Sequence, residues 1–283
     1  MHEEQFGAAA PFGPATERSR DILNELDRTL LKKIKEMGGL ETYVQSVPEL
    51  KDAFNNKNHD LCCMDERTAK GALSTPGSGI LIEGDQAQQA YIERLKEAGV
   101  DGVYSHNECG AAKIYAKEHG IEDDNAAAVA YSKDLAEKLG VAYKGHLKSS
   151  GIHPGRAVYY DTTGQIDRGS NAWQEKMPTG FSVSRNILNE QEAEDALVLA
   201  VKIAFGSHGY GSNAFSEQDP LSVIYISKPS ENTFEHEAKL KQELAKAYER
   251  IEREIPEAKG RIHIEGIEAP LQKEEDKELK EAA

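Results

Sequence analysis

Two of the three cysteines in the chain, Cys62 and Cys63, are adjacent in the segment DLCCMDERTAK, residues 60–70. The apolar run around them, HDLCCM, predicts a short β-strand, in which successive side chains point to opposite faces. Cys63, Asp65 and Arg67 then project to one side, and Cys62 projects to the other. We therefore interpret Cys62 as a core residue and Cys63 as a thiol placed beside an acid and a guanidinium.

The third cysteine, Cys109, follows His106 by three positions in YSHNECGAAK, residues 104–113. The run VDGVYSH predicts a strand that ends at about His106, and a helix begins at about Cys109. Free N–H groups at a helix N-terminus stabilise a thiolate, so we expect Cys109 to ionise readily. If this strand neighbours that of Cys63 in a parallel sheet, their carboxyl ends converge. Two thiolates and one imidazole then form a zinc set with a fourth position open to water or substrate.

Asp65 and Arg67 have a defined use beside such a metal. Two thiolates cancel the charge of Zn²⁺, so a bound water is acidified less than in an all-histidine site. Asp65 is placed to accept a hydrogen bond there, and Arg67 is placed to keep Asp65 ionised and oriented. The alternatives are a structural ion pair that closes the strand end and, for Cys63 alone, a buried core cysteine.

The Cys-x-Asp-x-Arg motif of residues 63–67, followed by His-x-x-Cys-Gly at 106–110, resembles the β-class carbonic anhydrases. The segment at residues 155–167, which ends in YYDTTGQID, is similar to a late strand and turn of that family. The resemblance covers residues 57–168.

This resemblance implies an enzyme, a lyase that reversibly hydrates CO₂ to bicarbonate by zinc-bound hydroxide. It implies Cys63, His106 and Cys109 as Zn²⁺ ligands and Asp65 with Arg67 as the catalytic dyad. It also implies a homodimer or higher homo-oligomer with sites at subunit interfaces, and a small-molecule substrate.

The chain departs from the family along one wall of the expected pocket. An Arg-Asn-Ala-Gly stretch is usual on the second strand of the family, whereas the nearest segment here is STPGSGIL, residues 74–81. We predict a strand at residues 77–84 whose glycines either let backbone approach a ligand or make a simple bend. Glu66 adds negative charge near a site for an anion. The residues assigned to the substrate pocket are Gly77, Ser78, Gly79 and Gly110.

Two further hypotheses stay open. The altered wall motivates hydrolysis of another small electrophile, such as carbonyl sulfide or carbon disulfide, as in relatives of this fold. The other hypothesis is a non-catalytic zinc-binding interaction protein in which the metal is structural. His146 and His153 are interpreted as structural or solvated residues.

Alternating strand and helix patterns predict an α/β fold, a mainly parallel β-sheet flanked by helices. A helical pattern from Thr16 to about Met37 and a second short helix in residues 40–56 form an N-terminal helical arm. Asn189 and Glu192 form a capping box before a later apolar helix. No internal repeat is found in the sequence.

We divide the chain into three parts. Residues 1–56 form a flexible terminus and helical arm, and residues 57–168 form the zinc-binding core. Residues 169–283 form an α/β C-terminal extension with a charged tail.

The charge balance limits the class of partner. The 283 residues contain 34 Lys and Arg against 49 Asp and Glu, a formal net charge of −15. This balance argues against non-specific nucleic-acid binding and against attachment to an anionic membrane surface. No apolar run approaches the ~20 residues that a membrane span needs. Three cysteines, all in or near motifs, favour a reducing cytoplasm over a disulfide framework.

Overall fold

The computed structural model describes residues 17–68, 73–149, 153, 155–228 and 233–269. The predicted flexible terminus at residues 1–15 and the predicted charged tail lie outside the described residues. The arm consists of three helices: α1 (Glu17–Glu36), α2 (Leu40–Ser46) and α3 (Glu49–Ala53). The single short helix predicted for residues 40–56 is wrong, because the chain leaves helical geometry at Val47 and resumes it after Pro48.

The first half of the fold is a four-stranded parallel sheet with strand order β2-β1-β3-β4. Its strands are β1 (Asp60–Cys63), β2 (Leu73–Thr75), β3 (Gly102–His106) and β4 (Ala142–Leu147). The helices between them are α4 (Asp85–Glu97), α5 (Gly110–Glu118) and α6 (Asp124–Leu139).

The second half is another four-stranded parallel sheet, with strand order β6-β5-β7-β8. Its strands are β5 (Ala157–Asp161), β6 (Gly180–Ser184), β7 (Leu221–Ser227) and β8 (Ile262–Glu268). The helices between them are α7 (Asn171–Lys176), α8 (Glu190–Phe205) and α9 (Thr233–Glu254). The predicted α/β class is therefore confirmed, as two parallel sheets flanked by helices.

The two sheets repeat one topology that the sequence does not reveal. In each half the first strand lies between the second and the third, and the fourth lies outside the third. A short 3₁₀ turn and a long helix follow the second strand in both halves. The repeat is one of strand order alone, and no internal repeat is found in the sequence.

The sheets meet along their β2 and β6 edges. The backbone N–H of Ser74 donates to Ser184 Oγ at 2.8 Å, and that of Ser182 donates to the Met64 carbonyl at 3.0 Å. β5, which falls within the predicted core of residues 57–168, pairs with β6 and β7 of the second sheet. The three-part domain division itself stays a prediction.

The predicted strand at residues 77–84 is wrong. The strand that pairs with β1 is instead β2, and it ends at Thr75. Pro76–Gly79 form a 3₁₀ turn in which Gly77 and Ser78 have φ of 55° and 58°. Positive φ at consecutive positions turns the chain sharply and is incompatible with a strand.

The start of α8 and the hydropathy of the helices are both predicted from the sequence. The side chains of Asn189 and Glu192 each bond the other's backbone N–H at the start of α8, so the predicted capping box is confirmed. No helix in the described part of the chain has both the length and the apolar character needed to cross a membrane.

Candidate metal centre

Three predicted donors meet at the carboxyl edge of the first sheet. Cys63 is the last residue of β1, His106 is the last residue of the neighbouring β3, and Cys109 is the N-cap of α5. All three are buried, and their donor atoms lie within 4.8 Å of one another. The predicted convergence of the two strand ends is therefore confirmed.

The donor set fits a zinc ion. Cys63 Sγ and Cys109 Sγ are 3.9 Å apart and form no disulfide. Zn–S bonds of about 2.3 Å at a tetrahedral angle place two sulfurs about 3.8 Å apart. His106 Nε2 is buried and has no hydrogen-bond partner among the described residues. Buried nitrogens normally have a partner, so an orphaned one beside two thiols is typical of a metal ligand.

The orientation of the His106 ring is set by Ser149 and Asn107. Ser149 Oγ donates to the Asn107 carbonyl at 3.0 Å and lies 3.2 Å from His106 Nδ1. Because its own proton is used, this hydroxyl accepts from Nδ1–H. In the neutral ring the lone pair is then on Nε2, and this is the usual arrangement of a metal-bound histidine.

In the metal-free chain, ionisation is favoured at Cys63 Sγ and disfavoured at Cys109 Sγ. Hydrogen bonding from Cys109, together with His106, places the pKa of Cys63 well below its usual range despite burial. The Gly77 backbone N–H also donates to Cys63 Sγ, at 3.2 Å. Because it donates to this thiolate and is buried, Cys109 has a strongly raised pKa. The expectation that Cys109 ionises readily is therefore wrong for the metal-free chain.

His106 has a raised pKa for the same reason. Burial alone would lower the pKa of His106. The Cys63 thiolate raises this pKa by a larger amount, to about 9. Without metal, His106 and Cys63 form an imidazolium–thiolate pair. A metal that binds here replaces the His106 proton.

The predicted pocket residues are divided between two locations. The turn at Gly77–Gly79 lies against the sulfurs, because a Cβ on Gly77 would lie 3.4 Å from Cys109 Sγ. Ser78 Oγ donates to the Tyr104 carbonyl at 2.9 Å, which ties the turn to β3. The atom nearest to a Cβ on Gly110 is Ile203 Cδ1, at 4.0 Å, so this position faces α8.

Asp65 and Arg67 form a close ion pair beside the donor set. Asp65 Oδ1 accepts from the Arg67 backbone N–H at 2.8 Å and from Nε at 3.0 Å, and Oδ2 accepts from Nη2 at 2.7 Å. Burial alone would raise the pKa of Asp65. The charges of His153 and Arg67 lower this pKa by a larger amount, so the net shift is downward. Asp65 Oδ2 lies 3.6 Å from His106 Nδ1, and the group formed by the three donors does not include Asp65.

Comparisons with protein-family models, curated proteins and solved structures give no match. The chemistry of the site therefore rests on its own geometry.

A second group of possible ligands, Asp65, Glu66 and His153, lies next to the dyad. Arg67 Nη2 is 3.1 Å from His153 Nε2 and 2.7 Å from Asp65 Oδ2. Because this guanidinium already supplies the positive charge between them, we assign the group to hydrogen bonding and not to a second metal. The carboxylates of Glu66 and Asp65 raise the pKa of His153 against the effect of burial.

Arg168 supplies the positive charge that offsets Glu66. It is buried, and its Nη2 donates to the Cys63 carbonyl at 3.3 Å. Its Nε and Nη1 have no hydrogen-bond partner among the described residues. Burial lowers its pKa, while Cys62, Cys63, Asp65 and Glu66 all raise it. Arg168, which follows β5, thus offsets the negative charge that Glu66 places near the site.

The second sheet does not repeat the donors at its strand ends. Asp161 ends β5 and Ser227 ends β7, at the positions that Cys63 and His106 occupy in the first sheet. The described residues of this half contribute neither a thiol nor an imidazole at those positions. The candidate centre therefore belongs to the first sheet.

Proposed function

We propose that the chain is a zinc-dependent lyase of the β-class carbonic anhydrase type, which reversibly hydrates CO₂ to bicarbonate. The observation that carries the proposal is the position of Asp65. Both of its oxygens are bound by Arg67, beside a buried set of two cysteines and one histidine that it does not join. Three protein donors with a nearby carboxylate are typical of a catalytic metal site, whereas structural zinc sites usually have four protein ligands.

The proposed metal ligands are Cys63, His106 and Cys109. When bound there, zinc supplies a Lewis acid that makes a water molecule nucleophilic near neutral pH. The remaining steps depend on the chain's own residues.

Asp65 has the electrostatic state that the reaction needs. Because its pKa is lowered, it stays ionised and accepts a hydrogen bond from the attacking water. Arg67 fixes the direction of that carboxylate through three N–H donors, its backbone N–H, Nε and Nη2. The reaction consumes CO₂ and water and yields bicarbonate and a proton, which passes to buffer. The buried cation of Arg168 lowers the cost of forming an anion nearby.

Stopped-flow CO₂ hydration on zinc-loaded protein tests this proposal. We expect the wild-type chain to accelerate hydration above the buffer rate. Asp65→Asn should lower kcat/KM by about 10²-fold, because it removes the charged acceptor and retains the volume. A wild-type rate equal to that of buffer, with zinc shown to be bound, would contradict the proposal.

Hydrolysis of carbonyl sulfide or carbon disulfide is the second candidate. The observation that favours it is the wall formed by Gly77–Gly79, a turn with three positive φ angles against the thiols. Assaying both substrates beside CO₂ on the same zinc-loaded protein separates the two reactions. A purely structural zinc would need a fourth ligand, and Arg67 already engages both oxygens of Asp65. The homo-oligomeric state and the cytoplasmic location stay predictions.

A further inference from the structure

His153 is held in place by the second half of the fold. Its backbone N–H donates to the His208 carbonyl at 2.7 Å. Its ring stacks on Phe181 of β6, with centroids 5.6 Å apart and planes inclined by 29°. The side chain is 10% exposed, so the ring has little freedom to turn. The second sheet thus presents a fixed imidazole to the dyad of the first.

The proton on this imidazole can be placed from its neighbours. Arg67 Nη2 lies 3.1 Å from His153 Nε2, and a guanidinium nitrogen can only donate. When the ring is neutral, Nε2 therefore accepts from Arg67 and the proton is on Nδ1, whereas a protonated ring cannot accept this bond. Nδ1 lies 3.2 Å from Glu66 Oε1 and 3.4 Å from Glu66 Oε2, so its proton faces a carboxylate. Glu66, His153, Arg67 and Asp65 then form one continuous chain of hydrogen-bonding groups.

This chain matters because Asp65 is close to the metal ligands. Asp65 Oδ2 is 3.6 Å from His106, and carboxylate oxygens bind zinc at about 2.0–2.2 Å. Arg67 binds both oxygens of Asp65, and Asp65 lies outside the donor set. Arg67 is also close to the half-exposed Glu108, at 3.6 Å from Nη1, and the charge of Glu66 acts on it as well.

We propose that His153 is a positioning residue: bonded to Glu66, it anchors Arg67 and so keeps Asp65 away from the fourth metal position. The inference rests on the metal site of the proposed function but not on the identity of the substrate. The second half of the fold, which offers neither a thiol nor an imidazole at Asp161 and Ser227, thereby contributes to the site of the first.

Binding of azide to cobalt-substituted protein tests whether the fourth position is open. Azide perturbs the visible d–d bands of cobalt only where it can reach the metal. In His153→Ala we expect azide affinity to fall about tenfold or more, as Arg67 moves and Asp65 coordinates the metal. In His153→Gln, where an amide both accepts from Arg67 and donates to Glu66, we expect affinity within about threefold of wild type.

His146→Ala is the matched control. His146 is also near the site, but its Nδ1 contacts Ser105 Oγ at 2.8 Å on the adjacent strand. We expect wild-type azide binding in this variant. Unchanged affinity in His153→Ala, or an equal loss in His153→Gln, would overturn the inference. Failure of the wild-type protein to take up cobalt would also overturn it.

A second measurement needs neither metal nor mutation. Long-range ¹H–¹⁵N spectra of the metal-free protein at alkaline pH report which His153 nitrogen carries the proton. The inference predicts Nδ1–H, and an Nε2–H tautomer contradicts it. If azide and NMR results agree with it while CO₂ hydration is absent, the proposed substrate is wrong and the positioning role stands. If CO₂ is hydrated but both results disagree, the positioning role alone is wrong.

Discussion

Ser149 Oγ lies 3.2 Å from His106 Nδ1, and its hydroxyl proton is directed at the Asn107 carbonyl. The hydroxyl therefore receives a hydrogen bond from the ring and leaves Nε2 facing the two thiols. Asn107 holds Ser149 in turn, because its Oδ1 accepts from the Ser149 backbone N–H at 2.6 Å and its Nδ2 donates to the Ser149 carbonyl at 2.7 Å.

Ser149→Ala should weaken zinc binding without removing a ligand. Loss of a group that orients a metal-bound histidine costs about 10–100-fold in metal affinity. Competition with a chromophoric chelator measures this change. Ser105→Ala is the control, since Ser105 Oγ bonds Tyr143 and His146 on β4. An equal loss in both variants would mean that Ser149 has no specific effect on His106.

Substitutions of the two adjacent cysteines should have different effects on the zinc content of the protein. Cys63→Ala removes a proposed ligand, and we expect purified protein with almost no zinc. Cys62→Ala should retain stoichiometric zinc, because Cys62 lies on the opposite face of β1 and is fully buried. Its expected cost is about 1 kcal/mol of stability, typical of a small core change. Zinc analysis by inductively coupled plasma mass spectrometry decides, and zinc loss in both variants would contradict the assignment.

The donor set was accessible to sequence reasoning because it depends on local rules. Alternation within β1 separates Cys62 from Cys63, and convergence of parallel strand ends brings His106 to Cys63. The first step is local, whereas the second also requires β1 and β3 to be neighbours in one parallel sheet. Asp65 lies beyond the end of β1 and Arg67 lies in a 3₁₀ turn, so the predicted strand alternation of these two residues with Cys63 is wrong.

The residues that tune these donors are different. Ser149 reaches His106 across 43 residues, and Arg168 reaches Cys63 across 105.

Two other features could not be predicted from the sequence, for a physical reason. The residues Gly77–Gly79 are compatible with a strand or a turn, and contact with Cys63 and Tyr104 selects the turn. The repeated sheet topology leaves no matching pattern in the sequence, because different residues bury similar strands. At the strand ends, for example, Asp161 occupies the position of Cys63.

Gly77→Ala should damage the metal site by crowding it. The residue has φ of 55°, and an added Cβ would lie 2.6 Å from Ile80 Cγ2 and 3.0 Å from Ala111 Cβ. Relief of those contacts moves the N–H that donates to Cys63. We expect destabilisation of about 1–3 kcal/mol together with weaker zinc binding.

Gly140→Ala provides the comparison for this change. Gly140 also has positive φ, 73°, at the end of α6, but an added Cβ meets nothing within 4 Å. It should lose some stability and keep zinc affinity. Thermal unfolding with chelator competition separates the two effects. Equal zinc affinity in both variants would mean that the turn does not support Cys63.

Zinc binding should release protons. In the metal-free chain His106 has a pKa of about 9 and the pKa of Cys109 is strongly raised, so both carry a proton near neutral pH. A metal requires neutral imidazole and thiolate, so about two protons should leave per zinc at this pH. Affinity should therefore rise with pH up to at least about 9. Calorimetry in buffers of different ionisation enthalpy counts the protons, and a count near zero would contradict this charge state.

Asp27 should make the folded chain less stable as pH rises. It lies on α1, accepts from the Thr179 backbone N–H at 2.9 Å, and is buried. Burial raises its pKa from 3.8 to about 7 against the lowering effects of Thr179 and Arg156. The folded state therefore retains a proton that the unfolded chain loses above about pH 4.

The sign of the effect follows from which state binds more protons. Between about pH 4 and 7 the folded state binds more, so the free energy of unfolding falls as pH rises and levels off above about 7. A shift of this size corresponds to about 4 kcal/mol. Asp27→Asn keeps the acceptor for Thr179 and cannot ionise. Its free energy of unfolding should therefore increase relative to that of wild type as pH rises from about 4 to 7. Urea unfolding at about pH 4.5 and 8 measures the difference, with Asp134→Asn as an exposed control on α6. A wild-type-to-variant difference that is the same at both pH values would show that Asp27 does not titrate in this way.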